Sequence, residues 1–220
     1  MPDGLVKPSG MKKDDSFFQK ATDKKLQVYR LLKHMNHKDS ILIAPIGDIP
    51  DWIPLTIAGK VKTLFGFETL IVPLMDDIEF AFDVKRNQYY STPILDELAQ
   101  RAPEDCMKVL AVTREDLFIP ILTHVYGEAQ LGGKSSIISI SRLIEISTVE
   151  SMETGTGRII KEAAHELGHT FDLRHCEDSS CIMHYCRKLE DVDNKSDQFC
   201  RYCRVFLSDY IKAVGIDQQS

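Results

Sequence analysis

Apolar positions along the chain switch between two periods. Ser40–Ile46 (SILIAPI), Glu68–Leu74 (ETLIVPL) and Cys106–Thr113 (CMKVLAVT) are short, nearly continuous apolar runs. Runs of that length, bounded by turn residues, predict strands buried on both faces. Between them the period lengthens. Pro50–Gly66 carries Ile53, Ile57, Val61 and Leu64 at helical spacing, with Gly66 as the stop. Thr92-Pro93 opens the stretch ILDELAQRA as a helix with proline in its first turn. Val125–Ala129 and Ser136–Ser141 read as two more strands, joined through Leu131-Gly132-Gly133. Residues 17–37 read as a helix of imperfect period, residues 76–91 as a polar irregular segment, and residues 1–16 as a disordered tail. Strand–helix–strand–helix–strand alternation predicts an α/β (α+β) layer around a mixed, mostly parallel, twisted sheet.

Two further helices close the pattern. One begins near Gly157 and sets Ile160, Ala163, Ala164, Leu167 and Phe171 on a single apolar face. The other carries Val205, Phe206, Leu207, Tyr210, Ile211 and Val214 as an amphipathic stripe, before a frayed end at 217–220.

The first of these helices matters for what lies off its apolar face. His165 and His169 are four residues apart, about 40° around the axis and one turn apart, so two imidazoles can grip one metal ion. Glu166 is offset by about 100° and flanks that ion, where a carboxylate can take a proton from water. A catalytic zinc needs a third protein ligand and an open fourth position. His175, six residues on, supplies the third if the chain turns sharply after the helix. Glu162, on the histidine side, reads as a solvated or outer carboxylate rather than a ligand.

Cysteine content extends the picture. Five of the six cysteines fall at 176–203. Cys176 and Cys181, then Cys200 and Cys203, form two knuckle-like pairs at the spacing of a closed four-thiolate zinc site, which would be structural. Cys186 is the competing ligand from its central position and reads as a bystander thiol; Cys106 reads as a small buried hydrophobe. The composition is 43% hydrophobic and 27% charged, with a net charge of −6 and no long basic run. That balance suits a globular protein and disfavours a nucleic-acid binder. No apolar run approaches the roughly 20 residues of a membrane span, and no apolar leader is visible near residue 1. The expectation is a cytoplasmic monomer with no nucleic-acid or membrane partner.

His165, Glu166, His169 and His175 match the metzincin pattern HExxHxxGxxH, and Met183 stands where its Met-turn would fall. The run His175, Cys176, Cys181, Met183, followed by Cys200 and Cys203, closely resembles the archaemetzincins over 165–203. That resemblance implies a metzincin-like catalytic domain with two zinc ions. His165, His169 and His175 would bind the catalytic zinc, Glu166 would be the general base, and Met183 would form an apolar floor beneath the metal. Cys176, Cys181, Cys200 and Cys203 would bind the structural zinc. It also implies one catalytic domain over 17–220, with an upper part at 17–171 and a lower part at 172–220. Tyr185 resembles the tyrosine that reaches the metal or transition state in astacins and serralysins, and as a phenol it would stabilise an oxyanion. Two departures stand out. Asp172 replaces the motif glycine, and the 16 residues between Met183 and Cys200 are about one fewer than the family's.

The expected activity is hydrolysis of a peptide or protein substrate by zinc-activated water, with Glu166 as base. Val125–Ala129 is the candidate edge for an extended substrate, and the sequence does not separate aminopeptidase from endopeptidase. Two other classes stay open. Asp172 motivates a zinc-stabilised binding protein with a silent site, and 176–203 alone would suit a zinc-knuckle nucleic-acid module.

Overall fold

The computed structural model describes residues 40–144 and 149–215. These belong to one compact unit, Asn36–Ser220. The predicted tail at 1–16 and the helix expected over 17–37 lie outside the described residues, as does the end at 217–220.

In chain order the elements are β1 (Ser40–Pro45), α1 (Trp52–Phe65), β2 (Glu68–Ile71), a 3-10 turn (Glu79–Ala81), β3 (Phe82–Asp83), β4 (Gln88–Tyr90), α2 (Ser91–Arg101), β5 (Lys108–Thr113), β6 (Leu117–Phe118), β7 (Gly127–Ala129), β8 (Ser135–Ser139), α3 (Val149–Thr170), α4 (Leu189–Asn194) and α5 (Arg201–Ala213). The main sheet has the order β2-β1-β5-β8-β7. Its first four strands are parallel and β7 runs antiparallel to β8 at the edge. The mixed, mostly parallel sheet is therefore present. β1 and β5 are buried on both faces, as continuous apolar runs require: Ile41–Ala44 and Val109–Val112 have no exposed surface. Each such Ile, Leu or Val contributes about 1.5–3 kcal/mol of burial.

Three expectations are corrected. The segment 76–91 is not irregular: it holds the 3-10 turn and the hairpin β3–β4, which pairs with β6 in a second, three-stranded sheet. Polar side chains masked those short strands. α3 begins two turns before Gly157, and Ile159 rather than Ile160 faces the core. In α5 the buried residues are Cys203, Leu207 and Ile211, at i, i+4 and i+8, whereas Val205, Phe206 and Val214 are exposed. An amphipathic pattern defines a stripe only as wide as its neighbours cover.

α3 packs on β8, β7 and α1. Its C-terminal end is held by an aromatic cluster, with Phe171 stacked on Phe65 at 5.1 Å and on Phe67 at 6.0 Å between centroids. A cation inside β5 adds a second tie. Lys108 is buried, and its Nζ donates to Thr170 O (2.6 Å), Gly133 O (2.7 Å) and Tyr210 Oη (3.2 Å). Burial, with Lys134 nearby, pulls its pKa down to about 8. Among the described residues no helix is long and apolar enough to cross a membrane.

Candidate metal centres and active site

The last two turns of α3 carry His165, Glu166 and His169, and the chain then turns back. The turn is made by Asp172 at φ 63°, the left-handed conformation for which the motif uses glycine. Its amide and that of Gly132 both donate to His169 O, at 3.0 and 2.9 Å, and Leu173 N donates to Gly168 O at 3.2 Å. Asp tolerates this region better than most residues, so His175 returns to the helix. One ring nitrogen from each of His165, His169 and His175 lies within 4.8 Å of the others.

The hydrogen bonds decide which nitrogens face inward. His165 Nδ1 is 2.8 Å from Ile182 O, and His169 Nδ1 is 2.7 Å from Leu173 O. A carbonyl only accepts, so each Nδ1 carries the proton and each Nε2 keeps its lone pair. Those two Nε2 atoms are 3.1 Å apart. A tetrahedral zinc with Zn–N near 2.0–2.1 Å spaces its nitrogens by about 3.3 Å. The donors therefore fit the ion. Burial lowers the pKa of all three histidines, that of His169 to about 4, with Lys195 and neighbouring imidazoles adding to the effect. Neutral rings are the form that ligates.

Glu166 is buried beside them. Burial pushes its carboxyl well above the usual range, the Glu162 and Glu128 carboxylates push the same way, and Lys195 opposes them. Gly127 of β7 lies directly against it: a β-carbon there would sit 2.5 Å from Glu166 Cγ. Glu162, read as a solvated or outer carboxylate, is the latter: it is buried outside the histidine donor set and paired with the fully buried Lys195 at 2.8 Å. Lys195 Nζ is also 3.5 Å from His165 Nδ1. Two desolvated ions of this kind cost several kcal/mol, so removing one partner alone costs about 3–5 kcal/mol. No signal marked Lys195 in the sequence, where it is one cation in a polar loop.

The returning chain reaches the second cluster at once. Cys176, Cys181, Cys200 and Cys203 each bring a sulfur within 4.8 Å of the others, and all are free thiols. Cys176 and Cys200 Sγ are 3.8 Å apart, the edge of a tetrahedron with Zn–S near 2.3 Å, which is about 3.8 Å. Cys200 N and Cys203 N donate to Cys181 Sγ and Cys200 Sγ at 3.3 and 3.5 Å, the bonds that favour thiolates. Cys186 stands outside the cluster, contacting His184 O at 3.5 Å. Cys106 is buried. His184 is in neither donor set; its Nδ1 donates to Cys176 O at 2.9 Å, behind the cysteine cluster. Met183 is buried beneath α3 against Gly168.

The histidines open on a cleft of about 650 Å³, bounded by β7, the segment 119–126, α3 and Tyr185–Arg187. Tyr185 is 43% exposed and its ring centroid lies 4.9 Å from that of His175. β7 presents the free edge of the main sheet to this cleft.

Comparison with known proteins agrees with this geometry. The sequence profile of peptidase family M54 matches residues 60–209. An archaemetzincin of Methanocaldococcus jannaschii is 36% identical over 171 residues, covering 77% of this chain and 93% of that protein. The crystal structure of archaemetzincin from Methanopyrus kandleri superposes with a TM-score of 0.70 at 32% identity, over 81% of this chain and 99% of that one. A zinc-dependent peptidase from Methanocorpusculum labreanum gives 0.69 at 28% identity, over 76% and 99%. A helix whose histidines offer inward lone pairs, and a profile that spans that helix and both donor sets, lead to one conclusion: the chain belongs to peptidase family M54 and is a zinc metallopeptidase of the archaemetzincin type.

Proposed function

We propose that His165, His169 and His175 hold the catalytic zinc, that Cys176, Cys181, Cys200 and Cys203 hold a second, structural zinc, and that Glu166 is the general base of peptide hydrolysis. The observation that carries the reading is the pair of inward Nε2 lone pairs beside a buried carboxylate. A zinc ion held by the three histidines would supply a Lewis acid, to polarise a carbonyl oxygen and acidify water. Glu166 takes a proton from water on its carboxylate and later delivers it to the leaving nitrogen. The substrate lies extended along the free edge of β7, its backbone pairing with Gly127–Ala129. Tyr185, beside His175 and open to the cleft, donates its hydroxyl to the developing oxyanion. Met183 forms the apolar floor, and 172–220 is the lower, zinc-stapled part of the domain.

The alternative of a silent site rests on Asp172, and the left-handed turn at Asp172, which lets His175 return, supports the active reading. Glu166→Ala tests the reading. It should abolish peptide cleavage while zinc content stays at two per chain; persistent cleavage would sink the mechanism.

A further inference from the structure

The upper rim of the cleft is the segment Leu122–Tyr126, which carries few backbone bonds of its own. Val125 N donates to Leu117 O at 2.9 Å, and Tyr126 O accepts from Ser139 N at 2.8 Å. The carbonyls of Leu122 and Thr123 are left for side chains. They are taken by residues from the β3–β4 hairpin of the small sheet. Arg86 Nη2 donates to Leu122 O at 2.6 Å and to Thr123 O at 3.3 Å. Gln88 Nε2, buried, donates to Thr123 O at 2.9 Å and to Asp116 Oδ2 at 2.9 Å.

Arg86 is itself fixed. Its guanidinium carbon stands 4.1 Å over the Phe118 ring, and its Nε bonds Gln88 Oε1 at 3.2 Å. Its backbone position is set by Asp83, whose Oδ1 accepts from Lys85 N and Arg86 N at 2.8 and 3.1 Å. Asp116 is clamped in turn by both arms of Arg142, at 2.7 Å each. This network touches neither donor set. Arg86 does not line the cleft; Leu122 does, and it is 39% exposed. A large apolar side chain kept partly in water above a substrate cleft is held there by polar groups behind it.

We infer that Arg86 is a positioning residue for substrate: through the Leu122 and Thr123 carbonyls it fixes the rim so that Leu122 meets a bulky apolar substrate side chain. The inference rests on the peptidase reading above. A rim ordered in advance spares the ordering cost on binding, so the loss of Arg86 falls on KM rather than on kcat.

Arg86→Met keeps an apolar stem on Phe118 and removes the donors. Steady-state kinetics use peptides that differ in one residue flanking the scissile bond, Leu against Ala and Glu. KM for the Leu peptide should rise roughly tenfold, the worth of one charge-assisted hydrogen bond. kcat should stay within about twofold, and zinc content should not change. Arg86→Lys, which restores a donor, should recover part of the loss. Leu122→Ala, at a half-exposed position, should raise KM for the Leu peptide and leave the Ala and Glu peptides alone; it decides the matter if Arg86→Met does not fold. An unchanged KM in Arg86→Met, a loss confined to kcat, or unaltered preference in Leu122→Ala overturns the inference while leaving the peptidase reading in place. A wild-type protein that cleaves no peptide overturns both.

Discussion

Gly127→Ala places the chemistry under direct stress. The added β-carbon would lie 2.5 Å from Glu166 Cγ, 2.9 Å from Glu166 Cδ and 2.7 Å from the backbone oxygen of Ile137. Ordinary carbon–carbon contact begins near 3.5 Å, so relief needs a displacement of roughly 1 Å. Ile137 O belongs to the strand pairing of β7 with β8, where Gly127 stands opposite Ile138; moving it breaks ladder bonds. Glu166 is buried and has little room to retreat. Overpacking of this kind costs about 1–3 kcal/mol. In a chain of this length that lowers Tm by roughly 2–10 °C. A carboxylate displaced by about 1 Å from its working position loses on the order of 100-fold in rate. The expected result is a folded, zinc-loaded protein with kcat/KM for peptide cleavage down about 100-fold. Gly157→Ala is the control: nothing lies within 4 Å of its added carbon, and it sits inside α3. It should stabilise by up to about 1 kcal/mol and leave turnover alone. Wild-type turnover in Gly127→Ala would mean that the position of Glu166 does not govern the reaction, and the general-base assignment would go with it.

Asp172→Ala keeps the left-handed turn but loses the side chain that tolerates it, and should destabilise by about 1 kcal/mol. Asp172→Gly should match the wild type within about 1 kcal/mol, because relief at φ 63° is offset by a freer unfolded chain. Urea denaturation of both variants checks the pair, and a glycine variant less stable than the alanine one would be inconsistent with the turn. Dialysis against a chelator should empty the open histidine site first, ending cleavage while one zinc stays with the cysteines. Cys181→Ser should release that second zinc and speed amide exchange across 176–203, and unchanged protection there would rule out a structural ion.

The site was legible where chemistry is tied to local spacing. His165, Glu166 and His169 share a helix whose period sets their geometry, and that geometry survives any tertiary detail. The two cysteine pairs were legible for the same reason. The strands β1 and β5 were readable because both faces are buried, which leaves an unbroken apolar run. What failed depended on partners distant in sequence. Whether Ile159 or Ile160 faces inward depends on where β8 and α1 meet α3, and no period of 3.6 separates neighbours that finely. Phe206 is exposed because only one side of α5 is covered. The small sheet was hidden because Asp83 and Gln88 occupy strand positions and make side-chain bonds there instead of packing. Lys195 and Arg86 were illegible, since a charged residue in a polar stretch looks the same whether it is solvated or buried. Lys108 passed unremarked inside an apolar strand, where a lysine requires acceptors, and the fold gives it three.

The sequence divides the metal-rich stretch at the His175–Cys176 bond, with an open site before it and a closed one after it. The folded chain does not respect that division. Ile182, one residue past Cys181, supplies the carbonyl that fixes the tautomer of His165. Met183 O accepts from Cys176 N at 2.9 Å, while its side chain fills the space that Gly168 leaves on the helix. Lys195, five residues before Cys200, neutralises Glu162 one turn away from Glu166. Each of these groups lies in the segment that the four cysteines gather, and each acts on α3. A structural ion at the cysteines would thus hold more than its own loop. It would fix the hydrogen-bond acceptor behind one histidine, the floor under the helix and the cation behind the base. Loss of that ion should therefore reach His165 and His169 through Ile182 and Met183 without any change in the residues of α3.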